Sequence, residues 1–334
     1  MHILVTGGAG YVGSRLVPAL LEAGHTVTVL DWFFFEPRQF VEPVPGLTCI
    51  VGDLRDREKV KEALDHADAV IHLAAISNDP TCELNPSVTW DINFEASCRL
   101  ADLAQQAGVR RFINASSASV YGIKEEERVT EELPSSPETI YGRSKAESEA
   151  YILAANNKRF TTTSVRPATL SGYAPRMRLD LTVNILTYQA ICKNLLQVFG
   201  GSQYRPNLAL NDMVRAYLLL LTIAAEKVAG RTFNLSEGNY RVLGIAEEIK
   251  RVLGLEDLEI RRVPTKDTRS YRLCADRAAQ ELGFTASLNL EHSIRDVATA
   301  FIDGRIFDPD QPRYRNIEWL KGQNFPNRMP VTTL

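Results

Sequence analysis

The chain has 334 residues, 45% of them apolar and 24% charged, and its 38 Lys+Arg against 41 Asp+Glu leave a formal net charge of −3. At roughly 150 residues per domain this is one large domain or two fused lobes with a full core, and the missing basic field argues against nucleic acid as a main partner. Five scattered cysteines (49, 82, 98, 192 and 274) form no C-x-x-C pair, which argues against a disulfide framework or a bound metal and fits a reducing cytoplasm. No apolar run approaches the ~20 residues of a membrane span and no signal-peptide pattern opens the chain, so no membrane partner is expected.

In chain order, Ile3–Thr6 reads as a strand that stops at Gly7-Gly8-Ala9-Gly10, and Tyr11–Ala23 then has helical spacing closed by Gly24. Strands follow at Thr26–Leu30, Leu47–Val51 and Ala69–Leu73, with a helix at Glu58–Leu64. The alternation continues with helices at Asn93–Ala107 and Tyr141–Ala155 and strands at Arg111–Ala115 and Thr161–Arg166. Repeated βα units with nearly unbroken apolar strands predict an α/β fold, a doubly wound parallel sheet covered on both faces, over residues 1–170. Beyond Arg166, the loop signals Pro167, Gly172 and Pro175 introduce a smaller lobe, 171–230 and 239–302. Its strand Leu196–Phe199 stands apart from the rest. Between the two parts of that lobe, a strand near 231–238 returns to the sheet, followed by a helix at Ile245–Leu253 and a strand at Leu258–Val263. The stretch 303–334, with Pro309, Pro312, Pro326 and Pro330, reads as an irregular tail.

Gly7, Gly10 and Gly13 make G-x-x-G-x-x-G between the first strand and the first helix. Such a turn lets backbone, here including Tyr11 and Val12, approach a pyrophosphate at a helix N-terminus. Asp31, 18 residues beyond Gly13, ends the second strand, where a carboxylate accepts from ribose hydroxyls and repels a 2′-phosphate, favouring NAD over NADP. Asp53-Leu54 and Leu73-Ala74-Ala75 end the next two strands and extend the track of a dinucleotide across the carboxyl edge of the sheet. The aromatic run Trp32-Phe33-Phe34-Phe35 reads either as a lid against adenine or as core or subunit packing.

Tyr141 and Lys145 form Y-x-x-x-K at a helix start, one turn apart on the same face. A phenol ordinarily titrates near 10; bringing it to ~7 takes ~4 kcal/mol, within reach of an ammonium and an oxidised nicotinamide acting together. Ser116-Ser117 follows the strand Arg111–Ala115, so a hydroxyl stands where it can bond a substrate oxygen as its proton leaves for Tyr141.

These motifs, TGGAGYVG, HLAA, SSASVYG and YGRSK, resemble those of the extended short-chain dehydrogenase/reductase superfamily, and within it the NAD-dependent nucleotide-sugar epimerase/dehydratase family. The resemblance is sharp to about residue 170 and looser to about 300. It implies a Rossmann-like sheet with a smaller C-terminal substrate-binding lobe, Tyr141 as base, Lys145 as its pKa modulator and ribose anchor, Ser117 as the hydroxyl that polarises the substrate, and Asn93 near the cofactor. It also implies a substrate pocket of Ser77, Ser119, Thr169, Asn184, Gln197, Phe199 and Arg205. Asn184 and Arg205 would hold the pyrophosphate of a UDP- or GDP-linked sugar, and the strand of Gln197 and Phe199 would lie along the base. Arg269 and Arg272 are a further candidate clamp, forked guanidinium groups suiting phosphate oxygens. A homodimer is implied, with helices 93–107 and 141–155 paired; Leu100, Leu103, Ile152 and Leu153 would face either the partner or the parent sheet.

Two departures from the family pattern matter. Ala118 and Ser119 stand where 4,6-dehydratases carry an Asp-Glu pair, which disfavours elimination, and Asn207-Leu208-Ala209-Leu210-Asn211-Asp212 replaces the usual His and acidic residues of one pocket wall. The expected function is therefore NAD-dependent oxidation at C4 of a nucleotide sugar, as a 4-epimerase. The segments Ala174–Leu181 and Thr268–Arg272 also resemble the branch with GDP-heptose 4-dehydrogenases, which gives a 4-dehydrogenase or ketoreductase as the alternative. A non-catalytic NAD-binding sensor or scaffold is the third reading.

Overall fold

A computed structural model describes residues 1–35, 42–265, 269–323 and 325. Strand His2–Thr6 (β1) leads through the glycine turn into Gly13–Glu22 (α1), followed by Thr26–Asp31 (β2), Leu47–Val51 (β3), Arg57–Ala63 (α2) and Ala69–His72 (β4). Two short helical turns precede a π-helical stretch, Asp91–Ala96, that runs on into Ser97–Gln106 (α3). Then come Arg111–Ala115 (β5), Ile140–Ala154 (α4) and Thr161–Pro167 (β6). The second half comprises Thr169–Ser171 (β7), Thr182–Tyr188 (α5), Leu196–Phe199 (β8), Tyr204–Ala209 (β9), Leu210–Thr222 (α6), Arg231–Leu235 (β10), Gly238–Arg241 (β11), Val242–Leu253 (α7), Ile260–Val263 (β12), Leu290–Ile302 (α8) and Asn316–Gly322 (α9).

Seven strands form one parallel sheet in the order β10-β6-β5-β4-β1-β2-β3. Strand order reverses beside β1, so the crevice outside its carboxyl end is the natural ligand site. Side chains alternate across the sheet. Ile3, Val5, Val29 and Ile71 meet Leu16 and Leu20 of α1 and Met213 and Tyr217 of α6 on one face, whereas Leu4, Leu30, Val70 and Phe112 meet Val60, Leu100 and Ile152 on the other. The smaller lobe has its own core, in which Leu196 and Val198 pack on Val183, Leu186, Ile245, Ile249 and Ile294. Leu100, Leu103 and Ile152 are thus taken up by the parent sheet, and a paired-helix dimer contact cannot draw on them; Leu153 is half-buried.

The expectation of an irregular tail over 303–334 is corrected among the described residues. Pro312 opens a single 3-10 turn and α9 follows it, because proline is tolerated at a helical start. Tyr314 and Leu320 supply the buried contacts that hold the segment down. Pro326 and Pro330 lie outside the described residues.

Candidate active site

A cavity of about 610 Å³ opens along the carboxyl ends of β1, β2, β4 and β5. Its walls include Gly7, Gly10, Tyr11, Val12, Gly13, Asp31, Asp53, Leu54, Leu73, Ala74, Ala75, Ser77, Ser117, Ser119, Tyr141, Lys145, Thr169, Arg205 and Arg269. The glycine turn is as tight as its sequence predicts. Gly7 has φ +73° and a Cβ there would lie 2.6 Å from the Ala74 nitrogen, while one on Gly13 would lie 2.2 Å from the Gly8 carbonyl oxygen. Both values are inside van der Waals contact, so only glycine lets the turn fold back on itself and bring backbone to the cavity wall. No side chain caps α1, so its N-terminal dipole faces that space.

Asp31 has a second task that its sequence position does not reveal. Its carboxylate accepts from the Ala9 nitrogen and from the Phe33 nitrogen, each at 2.9 Å, and so ties the end of β2 to the glycine turn. Burial pushes its pKa up against those two hydrogen bonds. Asp53 is held by Arg55, whose Nη2 lies 2.9 Å from its carboxylate.

Ser117 begins the turn after β5, its oxygen accepting from the Ser119 nitrogen at 3.1 Å. Tyr141 and Lys145 project from the first turns of α4, which Thr139 caps by accepting from the Gly142 nitrogen at 3.1 Å. The Tyr141 phenol is hydrogen-bonded to Ser117. Burial pushes that phenol well above its ordinary range, and the Ser117 bond and the Arg178 charge oppose the shift. Lys145, buried, is lowered to about 8 by desolvation, with Cys82 and Glu149 opposing. The sequence expectation joins the Lys145 ammonium to the charge of an oxidised nicotinamide; with no cofactor present, desolvation dominates at the phenol. A positive charge arriving with the cofactor acts against that shift.

Several residues carried over by resemblance do not line this cavity. Asn184 is fully buried; its carbonyl oxygen accepts from the Gly172 nitrogen and its amide donates to the Tyr11 hydroxyl and the Arg178 carbonyl. It shapes the chain beside the cavity and has no free edge for a ligand. Asn93, also fully buried, accepts from the Ile76 nitrogen and donates to the Ile76 carbonyl, fixing the backbone between Ala75 and Ser77. Gln197 and Phe199 sit on β8, paired with β12 in a separate two-stranded sheet, and Phe199 is 52% exposed. Arg272 stacks on Tyr204 and faces Glu127 at 3.7 Å in a second, smaller cavity. Arg205 and Arg269 do line it: Arg205 donates to the carbonyls of Tyr204 and Arg269, and Arg269 is paired with Asp79.

The sequence reading did not place Arg176, Arg178, Asp180 or Asn316 in the site. Met177 and Leu179 turn into the core while Arg176, Arg178 and Asp180 turn to the cavity, a period-two pattern visible in Arg-Met-Arg-Leu-Asp-Leu. Arg178 donates through Nε and Nη2 to Asp180 at 2.8 and 3.1 Å. Asn316 of α9 reaches in by donating to Ser77 at 3.0 Å. The aromatic run divides: Phe33 is core, while Trp32, Phe34 and Phe35 line the cavity, and Phe34 accepts at its carbonyl from Trp319 Nε1 at 3.1 Å.

A doubly wound sheet, a glycine turn that excludes any Cβ, an acid at the end of β2 and a Ser-Tyr-Lys group in one cavity define an NAD-dependent enzyme of the extended short-chain dehydrogenase/reductase type. The model of the NAD dependent epimerase/dehydratase family matches residues 3–236, and the chain belongs to that family. The UDP-glucose 4-epimerase of Corynebacterium glutamicum is 29% identical over 320 residues, covering 90% of this chain and 95% of its own. Among solved structures, MoeE5 in complex with UDP-glucose and NAD is 26% identical, with a TM-score of 0.80 over 91% of this chain and 99% of its own. The UDP-glucose 4-epimerase of Thermotoga maritima with UDP-glucose is 25% identical, with a TM-score of 0.79 over 91% of this chain and 99% of its own.

Proposed function

We propose that the chain is a nucleotide-sugar 4-epimerase. The observation that carries this reading is the continuity of one cavity, from the glycine turn, past the hydrogen-bonded Ser117–Tyr141 pair, to Arg205 and Arg269. A bound NAD would supply the hydride acceptor and donor, with the glycine turn and Asp31 positioned to hold it. Tyr141 removes the proton of the C4 hydroxyl and later gives it back, and Ser117 holds the same oxygen by hydrogen bond while its charge changes. Lys145, one helical turn from Tyr141, supports the phenolate and anchors the ribose. Arg205 and Arg269 face the phosphates of a UDP- or GDP-linked sugar. Ala118 and Ser119 in place of an Asp-Glu pair leave no acid and base for removal of water. Support for this comes from relatives named UDP-glucose 4-epimerase that align over nearly their whole length. We further propose a cytoplasmic homodimer; among the described residues no helix is long and apolar enough to cross a membrane.

The test is incubation of the purified protein with UDP- and GDP-hexoses, separating C4 epimers by chromatography while following absorbance at the NADH band. Interconversion of epimers without net NADH is expected. Net accumulation or consumption of NADH would instead establish the 4-dehydrogenase or ketoreductase, and bound NAD with neither outcome the sensor.

A further inference from the structure

Arg176 is a buried cation that no carboxylate touches among the described residues, although the charges of Asp180 and Asp31 act on it from further away. The residue is only 5% exposed. Nη2 donates to the neutral Asn316 Oδ1 of α9, Nη1 makes a long contact of 3.4 Å with the Met177 carbonyl, and Nε has no partner at all. The guanidinium lies over the ring of Phe35, 3.6 Å from its centroid. Two residues on, Arg178 shows the ordinary solution, a carboxylate gripped by two parallel hydrogen bonds. A desolvated guanidinium with an unused donor is costly unless an anion joins it.

Its location names the anion. The Arg176 nitrogen donates to Ser14 Oγ in the first turn of α1 at 3.3 Å, and the side chain lines the same cavity as Gly10, Val12 and Asp31. Arg176 thus sits beside the first turn of α1, and its side chain shares one cavity with that helix's uncapped N-terminus. Asp31 stands on this side too, and its negative charge disfavours a second dianion at the ribose.

We propose that Arg176 closes the NAD site as a clamp on the cofactor's diphosphate, held in place by Phe35 beneath it and Asn316 of α9 beside it. The glycine turn and helix dipole take one side of the diphosphate, and the guanidinium fork takes the other. α9 thereby becomes part of the cofactor site, which lets a 4-epimerase keep its dinucleotide through the catalytic cycle. The inference rests on the NAD-dependence of the reading above but not on the sugar or the outcome of the reaction.

The experiment uses full-length protein stripped of nucleotide, titrated with NADH, NADPH and adenosine, with no sugar present; a failed epimerase assay leaves it intact. Arg176→Met is expected to weaken NADH about tenfold to a hundredfold, the worth of one or two charge-assisted hydrogen bonds, while adenosine binds as before. Stripped Arg176→Met should melt at or above the wild-type temperature, because an unpaired charge has been removed. Asn316→Ala, which frees the fork and also removes the bond to Ser77, should weaken NADH by a smaller factor. NADH binding in Arg176→Met that matches wild type would overturn the proposal. So would a stripped variant that melts well below wild type, which would make Arg176 a structural residue. A wild-type preference for NADPH that Arg176→Met abolishes would place the guanidinium on a 2′-phosphate and overturn it as well.

Discussion

Glu149 and Arg166 meet in a buried gap between α4 and β6, the guanidinium Nε 3.1 Å from both carboxylate oxygens and Nη1 donating to the Tyr121 hydroxyl at 2.8 Å. Glu149 stands one turn beyond Lys145 on α4, and Thr232 of β10 also donates to it at 3.4 Å. The pair thus sets the depth at which α4 presents Tyr141 and Lys145. Glu149→Ala leaves the guanidinium buried and alone, and urea titration should show a loss of about 3–5 kcal/mol. Replacing both residues by leucine should recover most of that loss, since the charges are then absent together.

Lys145 gives a pH signature of stability. Its folded pKa of about 8 lies below its ordinary value of 10.5, so between those values the unfolded chain binds the extra proton and stability rises with pH. Below pH 8 the full cost of burying the ammonium is present. Nucleotide-free Lys145→Met should accordingly be the more stable protein at pH 7, by up to about 3 kcal/mol, and the difference should close as pH rises toward 10.5. Denaturation of both proteins at stepped pH checks the sign; a difference that widens with pH contradicts it.

Tyr141→Phe should retain NAD and lower kcat by about two to four orders of magnitude, and Ser117→Ala by about two to three. Because burial holds the phenol high in the free protein, the charge of oxidised nicotinamide has to bring it down. Ultraviolet titration of wild type minus Tyr141→Phe should place this ionisation about one unit or more lower with NAD than with ADP-ribose, which lacks that charge. Equal values with the two ligands would remove the nicotinamide from the account.

Gly13→Ala drives a methyl to 2.2 Å from the Gly8 carbonyl. The turn must open, at about 1–3 kcal/mol, and NADH affinity should fall with it. Equilibrium dialysis of the variant measures the second effect apart from the first.

What the sequence shows best is local. Gly7, Gly10, Gly13 and Asp31 are readable because tight backbone demands glycine and because a strand end places its last residue at the ligand edge. Ser117, Tyr141 and Lys145 are readable because one helical turn and one strand end fix them. Residues carried over from the looser half of the resemblance fare differently. Asn184, Gln197, Phe199 and Arg272 belong to segments whose placement depends on how the lobe folds back, and the structure puts them in the core, in a separate sheet or in another cavity. Arg176 and Arg178 escape notice because charged residues usually face solvent, and only the alternating Met177 and Leu179 hint that this stretch has one face inside. Asn316 meets Ser77 across 239 positions of sequence; no local pattern reports a contact of that range.

The edge strand β10 has a consequence for synthesis and recombination. It pairs with β6 only after the chain has made its excursion through β7, β9 and α6. As the chain leaves the ribosome, the nucleotide-binding half therefore waits with the outer edge of β6 unpaired until residue 235 emerges. An open parallel edge of that kind invites pairing with another chain. For the same reason a cut near residue 170, where the composition changes, does not separate two folding units. A lobe borrowed from a relative has to enter through two junctions, one on each side of β10, with the strand itself left in place.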